Sequence, residues 1–197
     1  RTIGERAGLV LPTDAHGDYA TELVYLDQGW GPAETLWYYH ADQGSALMPY
    51  DVLVHLERKG SERPFIDPEH LARFRLLTQR PTPNNPDALR AGFARHGDSV
   101  GLTCAACHTS QINYRGTAIR IDGAPALADI AGFLREVREA LAATLADEAK
   151  LARLAAALPG PGPDEARRDR ARVALTDTLA WFDSYDAANR SSTVEGF

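Results

Sequence analysis

The 197-residue chain has little cysteine, a single methionine and no excess of positive charge. Its two cysteines, Cys104 and Cys107, stand three positions apart. A bridge over so short a loop would constrain little, so a disulfide-stapled scaffold is excluded. No apolar run is long enough for a membrane span, so no transmembrane segment is expected. Lys and Arg number 21 against 27 Asp and Glu, a formal net charge of −6. That balance argues against nucleic acid as the main partner, because phosphate binding wants a basic face. Hydrophobic residues make up 44% and charged residues 24%, which suits a soluble globular chain rather than a disordered one.

What is there is concentrated in Cys104-Ala105-Ala106-Cys107-His108. This is the C-x-x-C-H spacing of covalent c-type haem attachment. Two thiols about one helical turn apart reach the two vinyl groups of one haem and form thioethers. The adjoining His108 imidazole then meets the iron from the same side, as proximal ligand. Small residues between the cysteines let the porphyrin lie close to the backbone. Random placement of the chain's two cysteines and six histidines produces this pattern only about 3 times in 10,000. Composition alone therefore does not explain it. A thioredoxin-like redox pair shares the C-x-x-C, but it wants a βαβ setting, and no run of buried strands is visible. A zinc site would need further Cys or His at ligand spacing, and none follows. One covalent haem c is the expected cofactor. Its attachment takes place outside the cytoplasm, so a periplasmic or secreted location is expected. The sequence starts at Arg1 without the charged and apolar regions of a signal peptide, which is expected to have been removed or to lie outside this chain.

Along the chain, residues 1–28 are mixed, with a turn at Pro12 to Gly17. Gly31-Pro32-Ala33-Glu34 reads as a helix start, and Pro49 to Glu57 as a second helix. Residues 61–100 are rich in Pro and Gly, with a short helix only in His70 to Arg80. Such a layer wraps a cofactor more readily than it forms a core. Residues 111–122 alternate around Arg115-Gly116 and predict a β-hairpin. Residues 125–158 carry an apolar stripe at helical spacing (Ile130, Phe133, Leu134, Val137, Leu141, Leu145). A last helix is expected over 164–189, capped by Asp164. The expected fold is mainly α, with loop-rich extensions and a small hairpin after the haem motif. Residues 1–100 would wrap the haem. Residues 101–197 would supply the haem motif, the hairpin and two long helices, all in one combined haem domain.

Several stretches resemble a known family. They are Asp27-Gln28-Gly29-Trp30, Gln43-Gly44-Ser45 through Met48-Pro49-Tyr50-Asp51, and Gly101-Leu102-Thr103-Cys104-Ala105-Ala106-Cys107-His108-Thr109, followed by Gln111-Ile112-Asn113-Tyr114 and Ile119-Arg120-Ile121-Asp122-Gly123. Over roughly residues 25–150 the chain resembles the N-terminal haem domain of the rubber-oxygenase-like c-type cytochromes. Those are distantly related to bacterial di-haem cytochrome c peroxidases. The resemblance implies a cytochrome c-like haem domain of a larger protein, with a second haem in a C-terminal half or on a separate partner chain. It implies an oxidoreductase whose iron, on an open distal side, takes dioxygen or peroxide. A rubber-oxygenase-like reaction would cleave an apolar alkene at its double bond. The alternative is an electron-transfer cytochrome, or a haem subunit of a larger redox complex, whose acidic surface steers a basic redox partner.

Other residues have both a chemical and a plain reading. Arg115 and Arg120 follow the haem motif, with Gln111 and Tyr114 beside them. An Arg fork suits a haem propionate, and the plain reading is a solvated hairpin charge. Met48, His16, His40, His55, His70 and His96 are candidate sixth ligands, weighed against an open or partner-supplied distal side. For Met48 and His55, core packing is the commoner case. Trp37, Tyr38 and Tyr39 read as packing rather than as an electron relay. Asn84-Asn85-Pro86-Asp87 offers oxygen ligands of the kind calcium takes, and reads first as a turn.

Overall fold

In the computed structural model, which describes residues 6–11 and 20–189, six strands among the described residues build two small sheets. They are β1 (Ala20–Tyr25), β2 (Met48–Pro49), β3 (Phe93–His96), β4 (Ser99–Leu102), β5 (Thr109–Tyr114) and β6 (Gly116–Asp122). The alternation in 111–122 does fold as a hairpin. β5 and β6 pair antiparallel, with Ile112 opposite Ile119, and turn through Arg115 and Gly116, both at positive φ. The hairpin does not stand alone, because β1 adds to β6 in parallel and gives the order β1-β6-β5. The second sheet runs β2-β4-β3 and is antiparallel throughout.

Seven helices accompany them among the described residues: α1 (Pro32–His40), α2 (Tyr50–His55), α3 (Pro68–Ala72), α4 (Cys104–His108), α5 (Ile130–Ala146), α6 (Glu148–Ala157) and α7 (Asp164–Asn189). Pro32 starts α1, where a missing N–H costs nothing. The stripe read over 125–158 is two helices, not one. At Asp147 the backbone is extended, and its carboxylate accepts from Ala149 N (2.8 Å) and Lys150 N (3.1 Å). That cap ends α5 and starts α6. Lys150 is itself buried, and its ammonium donates to Glu57 Oε2 (2.9 Å), Arg58 O (3.0 Å) and Ser61 O (2.5 Å). α6 is thereby tied to the turn after α2.

The main core draws on both halves of the chain. Phe65, Phe74 and Phe93 from the first half pack edge-on around Phe133 of α5, with centroids 5.4–6.0 Å apart. Leu141, Leu151, Leu175 and Phe182 extend the core along α5, α6 and α7.

The expected mainly α, cytochrome c-like fold is not the one that forms. Of the described residues 44% are helical and 20% strand, an α/β mix with two small sheets. The overlooked strands are β1, β2, β3 and β4. β3 and β4 lie where Pro and Gly density suggested loops, and both are only four residues long. Strands so short have little periodicity of their own and exist through their partners. The turn expected at Pro12 to Gly17, and the chain end at Val194 to Phe197, lie outside the described residues.

Candidate functional site

α4 is a single helical turn formed by the five residues of the haem-type motif. Thr103 caps it, its hydroxyl accepting from Ala105 N (3.3 Å). Positions i, i+3 and i+4 of a helix share a face, so Cys104, Cys107 and His108 emerge together. All three are exposed, and both cysteines are free thiols. Ala105 and Ala106 take the opposite face and are buried.

The seating of α4 depends on a close backbone approach. Gly92 adopts φ +87°, and a Cβ there would stand 2.0 Å from Ala106 N. Gly92 O also accepts from Thr103 N (2.8 Å). A Cβ at Gly101 would likewise stand 1.7 Å from Ser45 O, and Ser45 Oγ accepts from Leu102 N (3.2 Å). The last carbonyls of α4 are held from two sides. The Tyr38 hydroxyl donates to His108 O, and Ala126 N donates to Cys107 O (2.9 Å). Tyr38 also meets Thr109 Oγ1 (3.1 Å) and accepts from Gly123 N (3.0 Å). Burial raises the Tyr38 phenol above its ordinary range, so it stays protonated as a donor.

Tyr38 also joins α4 to an apolar cleft. Trp30, Ala33, Glu34, Trp37 and Tyr38 line an open space of about 720 Å³. Trp30 packs edge-on against Tyr38 at 4.8 Å, and Trp37 is 65% exposed. No residue of the motif lines that cleft, and its link to α4 is the Tyr38 hydroxyl. The donor set on the exposed face of α4, two thiols and one imidazole, would fit a flat group carrying an iron.

Two of the stretches that carried the family resemblance meet each other. Gln28 clamps the backbone of Asp122, its Nε2 donating to Asp122 O (2.6 Å) and its Oε1 accepting from Asp122 N (2.9 Å). The Asp122 carboxylate is buried, accepts from the Tyr39 hydroxyl (2.5 Å) and pairs with Arg6 (3.5 Å).

The two arginines after the motif are placed differently. Arg115 sits in the hairpin turn, with its guanidinium over the Tyr114 ring at 5.2 Å. Because β5 is extended, that turn is about 20 Å from Thr109. Arg120 is 1% exposed and laces the chain together. It donates to Gln111 Oε1 (2.9 Å), Thr78 O (2.8 Å) and Leu9 O (2.8 Å). Met48 packs in the core through β2. Contrary to the core reading, His55 is exposed at the end of α2. His40 is half-buried, and His96 is exposed and pairs with Asp42. His70 is buried among Phe65 and Phe74, and His16 lies outside the described residues. Two of the calcium-type residues, Asn85 and Asp87, are engaged within the protein. Asn85 bonds Gln79 (3.1 Å) and both backbone groups of Leu89, and Asp87 accepts from the Tyr50 hydroxyl (2.5 Å). Among the described residues no cluster of three or more His, Cys, Asp or Glu is placed to hold a metal ion. No described helix is long and apolar enough to cross a membrane.

Reasoning from sequence missed Gly92, the Thr103 cap and the Trp30–Trp37 cleft. Only the cap had a local signal, a Thr just ahead of the helical turn.

No family model matches the chain, and no solved structure matches it. Among known proteins, the uncharacterised protein y4iJ of Sinorhizobium fredii (strain NBRC 101917 / NGR234) is similar, at 34% identity over 185 residues. The alignment takes in 81% of this chain and 30% of that relative, so the chain spans under a third of the length of the curated protein it matches.

Proposed function

We propose that this chain is the haem-carrying region of an extracytoplasmic oxidoreductase, with Cys104 and Cys107 as thioether residues and His108 as the iron ligand. One observation carries the proposal. The two thiols and the imidazole share the exposed face of a single turn, while the alanines between them anchor that turn to the protein. An antiparallel sheet leads into α4, so the βαβ setting of a thioredoxin-like thiol pair is missing.

When bound, haem supplies an iron that changes oxidation state and takes a small ligand such as dioxygen or peroxide. The chain's own residues do the rest. Tyr38 and Ala126 hold the carbonyls of α4, and so fix where the His108 side chain leaves the backbone. Trp30 and Trp37 offer apolar surface in the open cleft that Tyr38 joins to α4. Met48 is used in packing, so this chain's one methionine would not serve as a ligand to a bound haem. A longer parent protein accords with the relative, of which the aligned region covers 30%. Apolar alkenes are the substrate class proposed for that whole protein, with a further haem domain or partner chain beside this one.

The test is to export the chain with haem-attachment machinery, then measure mass and the haem spectrum. The expected result is one haem per chain, lost in a Cys104→Ser/Cys107→Ser variant. A purified chain without added haem mass would overturn the proposal. Carbon monoxide should shift the reduced spectrum; a six-coordinate spectrum that ignores it would favour an electron carrier instead.

A further inference from the structure

A second cleft, about 680 Å³ with the space open to solvent included, lies beside the α4–β5 junction and has Thr109 in its lining. Its polar lining includes Arg75, Arg120, Gln111 and Asn113, and its apolar lining includes Leu11 and Leu127. Among the described residues that line it there are two arginines and no Asp or Glu. In a chain of net charge −6, that is a local inversion of sign.

Arg120 makes the inversion consequential. It is 1% exposed, yet every bond its guanidinium makes among the described residues goes to a neutral oxygen. Buried charges are normally paired, so a fully buried cation without a contacting carboxylate leaves positive potential in the cleft. Arg90, also buried, is depressed to about 10 by its own desolvation and then by the Arg120 charge, so the two cations share this region. Arg75 stands at the rim. Its backbone is left-handed at φ +55°, an unusual conformation for a residue with a side chain, and such outliers gather at ligand sites. No hydrogen bond or ion pair engages its guanidinium among the described residues, so its five donors are available. Exposed Leu127 and half-buried Leu11 provide apolar surface at the same mouth.

We propose that this cleft is a carboxylate-binding site that takes an acid carried on an apolar body, with Arg75 as the contacting cation over the fixed charge of Arg120. Two sources share that chemistry: a propionate of a haem anchored on α4, and a free amphiphilic carboxylate.

Decanoate is the probe, titrated by calorimetry into the full chain with and without haem. The haem-free arm reads the cleft even if no haem ever attaches. Decanoate should bind the haem-free chain, and decanol, which has the same body without the charge, should not. Arg75→Gln should weaken binding about tenfold or more, as loss of a charge-assisted bond requires. Arg75→Lys should retain part of the affinity, and Arg135→Gln on the exposed face of α5 should change nothing. Binding to both forms assigns the site to a free carboxylate. Binding to the haem-free form alone assigns it to the haem's own propionate. No decanoate binding to the haem-free chain, equal binding of decanol, or full affinity in a folded Arg75→Gln chain would each overturn the proposal.

Discussion

His70 is a basic side chain in a place built for aromatics. Phe65 and Phe74 meet its ring edge-on at 4.9 and 5.6 Å, and Nε2 has no hydrogen-bond partner among the described residues. Glu136 Oε2 is 3.6 Å away, too far for a hydrogen bond. Burial, reinforced by Arg58 and Arg73, lowers its pKa from 6.5 to about 4. The unfolded chain therefore binds a proton here between about pH 6.5 and pH 4 that the folded chain does not. Stability falls as pH drops through that window. Urea unfolding of His70→Leu should show a shallower loss from pH 7 to pH 4.5 than the parent chain. Parallel pH profiles would mean that the acid sensitivity arises elsewhere. None of this was legible at position 70. A histidine in a proline-rich stretch says nothing of the phenylalanines that close around it.

At the scale of elements, α4 shows how a motif is held. Its local sequence is enough to place two cysteines and a histidine on one face, because helical periodicity does that in any context. What holds the turn against the protein is Gly92, remote in sequence. Gly92→Ala would combine a left-handed backbone with a Cβ placed on the Ala106 backbone, where nothing flexible can yield. The expected cost is about 2 kcal/mol or more, read by urea unfolding. Haem incorporation should fall with it, since α4 must move. A variant with unchanged stability and full incorporation would mean that the close seating of α4 on Gly92 is not needed. Other elements divide in the same way. The β5–β6 hairpin could be read from its alternation, and α1 from its early proline. β1, β3 and β4 could not be read, because each is ordered by a neighbouring strand rather than by its own pattern. The break between α5 and α6 was missed because the apolar stripe continues in register past Asp147, and only the cap ends the helix.

For the molecule as a whole, Phe133 is the point at which the two halves of the chain meet. It packs on Phe65, Phe74 and Phe93, so the two halves share one core. Phe133→Ala should cost about 3–5 kcal/mol, the usual penalty for emptying a large aromatic site. Tryptophan fluorescence and circular dichroism should report one shared unfolding transition in the parent chain. Two separated transitions would show that the halves fold apart. The sequence by itself determined the chemistry on offer: two thiols and an imidazole at one turn's spacing, an acidic surface and no membrane-spanning run. Those follow from residue identity and helical period, which need no partner. Tertiary structure decided the α/β architecture, the apolar cleft beside α4 and the lacing role of Arg120. It also decided which arginine stands free at the cationic cleft. Each of these depends on residues far apart in the chain meeting at one place, and spacing along a sequence does not encode that.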